Sequence, residues 1–159
     1  MNDGFTYGVN LFYIKGDNMI QTVNRQNVNT GEIENWGVEA EAKYPICSFF
    51  DVTFNSAYLH MKNKIIAAPE VTGYLGLNYH QEKWLATLGL QHINNLYTAV
   101  GDNEQKESFW LLDASVTYAV TRNVSLWVRG ENLLAQKYEI NLGYPMPRAT
   151  FMAGVSVSL

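Results

Sequence analysis

An all-β fold of about eight antiparallel strands is what this 159-residue sequence predicts, and three observations carry the reading. Apolar and polar residues alternate with period two along nearly the whole chain, helical periodicity is almost absent, and the connections between alternating runs switch between short and long. Because side chains of a strand point to opposite faces in turn, such alternation describes a sheet that is apolar on one side and polar on the other.

The first run places Phe5, Tyr7, Val9, Leu11 and Tyr13 on one face. The second sets Trp36, Val38, Ala40, Ala42 and Tyr44 against Gly37, Glu39, Glu41 and Lys43, so three charges share a face that must meet water or charged partners. Val52, Phe54, Ser56 and Tyr58 form a third, and Val71, Gly73, Leu75, Leu77 and Tyr79 a fourth. Trp84, Ala86, Leu88 and Leu90 follow, then Trp110, Leu112, Ala114, Val116 and Tyr118, then Val124, Leu126 and Val128. The last run alternates Phe151, Ala153, Val155, Val157 and Leu159 with small or polar residues. Phe12, Leu59, Leu85, Leu111 and Trp127 are exceptions that fall on the polar face. Short links are expected at 45–51, 80–83 and 121–123, and longer ones at 15–35, 61–70, 93–108 and 133–149.

Composition narrows the classes. With 47% hydrophobic residues the chain is too apolar for disorder, and no Gly/Ser-rich or like-charge tract marks a domain boundary. A formal charge of −4 without a basic stripe gives a phosphate backbone little counter-charge, which argues against nucleic acid. Cys47 has no second cysteine to pair with and no ligand neighbour at zinc spacing, and is expected in a turn. His60, His80 and His92 lie on separate strands or strand ends away from any nucleophile, so no catalytic residue, metal site or cofactor is expected and the chain does not read as an enzyme.

A soluble β-sandwich or lipocalin-like barrel also alternates, and aromatic placement favours lipid instead. Phe5 and Tyr13, Trp36 and Tyr44, and Trp110 and Tyr118 each bracket an apolar face eight positions apart, and Trp84 opens another. At about 3.3 Å per residue eight positions cover about 26 Å, or about 20 Å after a tilt near 40°, which approximates an outer-membrane apolar band. Tyr and Trp suit its rims because their rings lie at the lipid boundary while their polar tips reach water. Glu39, Glu41, Lys43, Asp113, Arg129 and Glu131 then face a hydrated lumen rather than a dry core.

The stretch 130–138 (GENLLAQKY), followed by 143–148 (GYPMPR) and the closing strand, resembles the end of TonB-dependent outer-membrane receptors of the iron-complex and cobalamin type. The stretch 35–41 (NWGVEAE) is similar to that family's Gly-x-Glu strand. Two departures are the absence of a Gly between Pro147 and Arg148 and the terminal Leu159 in place of Phe. The resemblance implies a transmembrane barrel of roughly 22 strands around an amino-terminal plug, with residues 1–159 as its carboxy-terminal segment, the plug absent, and TonB reached only through that plug. It implies outer-membrane lipid and the remainder of the receptor as partners. It also implies that the lumen charges face the plug, and that loop regions 95–107 and 141–148 meet the ligand, with Tyr97, Phe109, Tyr144 and Arg148 as candidates. A complete eight-stranded outer-membrane barrel with a structural or adhesive role, and a soluble ligand-binding β-protein, remain the alternatives.

Overall fold

The computed structural model describes residues 4–23 and 26–158. Eight strands form one sheet in the order β1 (Thr6–Val23), β2 (Gln26–Cys47), β3 (Phe50–Met61), β4 (Pro69–Gln81), β5 (Trp84–Ala99), β6 (Gln105–Ala119), β7 (Val124–Glu131) and β10 (Thr150–Val157). Each neighbouring pair is antiparallel. A small hairpin of β8 (Glu139–Asn141) and β9 (Tyr144–Pro145) lies within the last connection. The sheet is open, with β1 and β10 at its edges among the described residues.

The pairing register keeps the two faces continuous. Leu11 pairs with Val38, Val38 with Tyr58 and Tyr58 with Val71. Farther along, Leu75 pairs with Leu90, Leu90 with Leu112, Val116 with Val128 and Val128 with Ala153. Directly opposed residues share a face, so one apolar surface runs across all eight strands. Most of it lies open, with Leu11 73% and Phe151 72% exposed. The other face carries the alternating polar residues.

Two expected loops are strand instead. The first hairpin continues its ladder from the Ile14–Asn35 pair to the Val23–Gln26 pair, with irregularities between Gly16 and Ile20. This ribbon stands beyond the Tyr13–Trp36 pair and carries no sustained apolar alternation, the signal by which a strand is read from sequence. In 93–108, β5 runs on to Ala99 and β6 starts at Gln105, but shifts between Ile93 and Leu96 and between Tyr97 and Ala99 break the period. Cys47 ends β2 paired with Phe50, and the turn itself is 48–49. Leu159 and residues 24–25 lie outside the described residues.

The apolar exceptions on the polar face have local uses. Phe12 lies where a Cβ of Gly37 would stand, and Tyr74 covers both Gly76 and Gly89. Leu59 joins a cluster of Met61, Tyr97 and Val100, and Leu111 joins one of Ile93, Leu96 and Phe109. Trp127 lies flat over Gly154. Leu85 is 58% exposed and no such packing accounts for it. Both buried clusters sit at the long-loop end, where the connections fold back over the polar face.

Trp127 yields a stability test. A Cβ at Gly154 would stand 2.5 Å from Trp127 Cζ2, whereas one at Gly73 meets nothing nearer than 3.9 Å. Gly154→Ala is expected to cost about 1–3 kcal/mol through overpacking, read as a lower urea midpoint in detergent micelles, with Gly73→Ala close to wild type.

Candidate functional site

The polar face is built in rows across the strands. Asn10, Glu39, Ala57 and Thr72 form one row, and Gly8, Glu41, Asn55, Tyr74 and Gln91 the next toward the short-turn end. Glu39 and Glu41 therefore project side by side from β2. Asn10 Nδ2 donates to Glu39 Oε2 at 3.2 Å, and Glu41 leans over Gly8, where a Cβ would stand 2.9 Å from its Oε1. Together with Asn55, Tyr74 and Gln91 they line a groove of about 450 Å³. Two carboxylates flanked by amides suit a cationic or hydrogen-bond-donating surface.

The remaining charges on this face are engaged locally. Lys43 lies 3.7 Å from Asp51, a buried carboxylate on the neighbouring strand that also accepts from Asn78 Nδ2 at 2.9 Å and lies 3.6 Å from His80 Nδ1. Arg129 pairs with Glu131 at 2.9 Å, with both side chains more than a third exposed, an arrangement worth about 0–1 kcal/mol. Asp113 Oδ1 accepts the backbone N–H of Asn132 at 2.8 Å. Its carboxylate thus secures the start of the final connection.

Asn132 organises that connection. It is buried, with φ 48°, a left-handed conformation that Asn tolerates better than most residues. Its Nδ2 donates to the carbonyls of Gln136 and Pro147, and its Oδ1 accepts the Gln136 N–H. One side chain thereby ties both ends of the loop that carries Tyr144 and Arg148. Both of these are exposed, Tyr144 at 73%. Phe109 instead is buried and stacks on Tyr138 at 4.1 Å. Burial, reinforced by Asp113 and Glu131, pushes the Tyr138 phenol up from its ordinary value. Tyr97 is 0% exposed, so in this arrangement neither ring, Tyr97 or Phe109, presents an open face.

Tyr97 belongs to a cluster that periodicity does not reveal. Its hydroxyl donates to Glu70 Oε1 at 2.5 Å, and Asn95 Nδ2 donates to Glu70 Oε2 at 2.8 Å. Lys64 and Lys106 approach the same carboxylate at 3.2 and 3.9 Å and lie over the Tyr97 ring at 5.2 and 4.8 Å. The Tyr97 hydrogen bond, helped by Asn95 and the two ammonium groups and opposed by burial, holds Glu70 at about 2. For Lys64, burial opposes the charge, but hydrogen bonds to Tyr97 and Glu70 outweigh it and the ammonium is pushed up. Glu70 stands beyond the pairs that link Gly73, His92 and Trp110 across three strands, on the loop side of the aromatic rim.

The rim residues gather as two belts on the apolar face. Phe5 lies 6.3 Å from Tyr44 and Trp84 lies 4.5 Å from Tyr118 at the short-turn end. Tyr13 pairs with Trp36 at the loop end, where Trp110 also lies. His60 and His92 stack on Trp36 and Trp110 at 5.3 and 4.0 Å, so these histidines join the loop-end aromatic belt of the apolar face, a placement their parity with Tyr58 and Leu90 already signals.

The depressed Glu70 value has a pH consequence. A carboxyl lowered from 4.5 to about 2 contributes stability that is complete above the ordinary value and is lost as pH falls through the folded one. In an NMR titration of the micellar protein, the Ala67 and Tyr97 amides are expected to shift with a midpoint near 2; a midpoint near 4.5 would mean an unpinned carboxylate.

Comparison with known proteins places this geometry. The family model described as TonB dependent receptor-like, beta-barrel, matches residues 1–133. No curated protein matches the sequence. Among solved structures, the copper transporter OprC is 19% identical over 99% of this chain and 29% of its own, with a TM-score of 0.81. A mutant of the ferric enterobactin receptor PfeA from Pseudomonas aeruginosa is 14% identical over 100% of this chain and 29% of its own, at 0.77. The closed form of the ferric-catecholate import receptor Fiu from E. coli K12 is 19% identical over 99% and 26%, at 0.68. At these identities the likeness is one of fold, and the chain spans under a third of each structure. With most of its length matched by the family model, the chain belongs to the TonB-dependent receptor β-barrel family, a family of receptors rather than of enzymes.

Proposed function

We propose that the chain is the carboxy-terminal wall of an outer-membrane receptor of a Gram-negative bacterium that takes up a scarce metal-bearing solute, an iron chelate or a corrinoid. The observation that carries this reading is the apolar face that crosses eight strands between two aromatic belts, backed by a polar face with an acidic groove. A lipid slab outside and a hydrated passage inside satisfy both faces at once. The open edges of β1 and β10 pair with the remaining strands of a roughly 22-stranded barrel.

Each set of residues then has a role. Phe5, Tyr13, Trp36, Tyr44, Trp84, Trp110 and Tyr118 seat the wall at the lipid boundaries. Glu39 and Glu41 face a plug and help hold it electrostatically, and Lys43, Asp113, Arg129 and Glu131 keep the lumen wall polar. Tyr144 and Arg148 meet the solute at the loop end, on connections anchored by Tyr97 and Phe109. TonB acts through the plug and not through these strands. That the structural neighbours include a copper transporter, a ferric-catecholate import receptor and a ferric enterobactin receptor supports a metal-bearing cargo.

The test is deletion of the gene that encodes the chain. The mutant is expected to lose growth on a ferric chelate as sole iron source, or on a corrinoid, while growing normally on ferrous iron, and the tagged protein is expected in the outer-membrane fraction. Normal uptake of both solute classes, or a protein soluble without detergent, would overturn the proposal.

A further inference from the structure

Glu70 sits among groups that would make an anion site if it were withdrawn. Tyr97 Oη, Asn95 Nδ2, Lys64 Nζ and Lys106 Nζ all converge on its carboxylate, from the β3–β4 connection, β5 and the start of β6. Lys106 also lies 3.9 Å from Glu104, an exposed carboxylate on the neighbouring turn. Lys64 and Lys106 keep 31% and 38% of their side-chain surface exposed, against 22% for Glu70, so the cluster is reachable from the solvent side of the loops. Two ammonium groups, a phenol donor and an amide donor are the recognition chemistry of an oxyanion.

The same cluster closes the loops on one another. The Ala67 N–H donates to the Tyr97 carbonyl at 2.8 Å and the Tyr97 N–H to the Ala68 carbonyl at 3.4 Å, which joins 62–68 to β5. The Leu142 N–H donates to the Thr98 carbonyl at 3.1 Å, which adds the last connection to the same body. With Glu70 in place, Lys64 and Lys106 are drawn to one point and the connections are held together. Without it, the two ammonium groups repel and the backbone pairs lose their clamp.

We infer that Glu70 is an internal competitor in an oxyanion seat formed by Tyr97, Asn95, Lys64 and Lys106, and that exchange of its carboxylate for a carboxylate or phosphate oxygen of a bound solute releases the β3–β4 connection as a lid. The inference rests on the loop end being the solute-facing end. It names the chemistry met there and the contact that opens.

Hydrogen exchange read by mass spectrometry on the whole chain in detergent micelles tests it, with citrate as probe against sodium chloride at equal ionic strength. In the wild type, exchange in 62–70 is expected to accelerate at least about tenfold with citrate and not with chloride. Glu70→Gln is expected to exchange fast without citrate and to ignore it, and the Lys64→Ala, Lys106→Ala double variant likewise. Protection of 85–90 in the first half of β5 reports that each variant is folded. Wild-type exchange in folded Glu70→Gln, or equal effects of citrate and chloride, would overturn the inference. Membrane placement is read separately, so failure here leaves the receptor reading standing.

Discussion

The inter-strand hydrogen-bond ladder is the interaction on which the rest of this structure depends. In a hydrocarbon slab an unpaired backbone amide costs several kcal/mol, so a strand that crosses lipid must find both neighbours. Pairing in turn fixes the side-chain faces, because a slip of one residue moves a whole apolar set to the opposite side. Here the register sets Leu75 beside Leu90 and Leu90 beside Leu112, and with the same pairs it sets Tyr74 beside Gln91. A lipid-compatible surface and a water-compatible surface are thus one decision and not two.

Among the described residues the sheet has little buried core of its own, and its buried side chains gather where the connections fold inward. Met61, Tyr97 and Val100 form one cluster and Ile93, Leu96 and Phe109 the other. Polar pins hold the connections over them: Asn132 by hydrogen bonds to the two ends of the final loop, Glu70 by drawing three segments to one carboxylate. Exposed pairs such as Lys62 with Glu34 at 2.8 Å tie the protruding ribbon to the next connection at small energetic gain. The connections beyond the Tyr13–Trp36 pair are therefore held by a few buried or half-buried polar groups more than by exposed surface charge.

How much of this was legible in the sequence follows from the physics of each part. The strands and their two faces are legible because a sheet with one apolar and one polar face imposes period two. Trp36 and Tyr44 mark the two ends of that apolar face on one strand. The ribbon beyond Tyr13 gives no strand signal because its residues carry no sustained apolar alternation. Tyr97 and Phe109 looked like surface aromatics because irregular pairing near Asn95 (φ 53°) hides their parity. Asn132 lay inside a recognisable stretch, but its hydrogen bonds did not. Glu70 left no local signal, since Asn95 and Tyr97 are 25 and 27 residues away in the chain.

The central claim is that one face of this sheet meets lipid and the other does not, and its four tryptophans report on it directly. Trp36, Trp84 and Trp110 lie on the apolar face, and Trp127 lies on the polar face over Gly154. Four variants that each keep one tryptophan, reconstituted in vesicles whose acyl chains carry bromine, give the measurement. Strong quenching of Trp36, Trp84 and Trp110 with Trp127 nearly untouched is the predicted result. Equal quenching of all four, or none at the first three, would contradict the assignment of the faces.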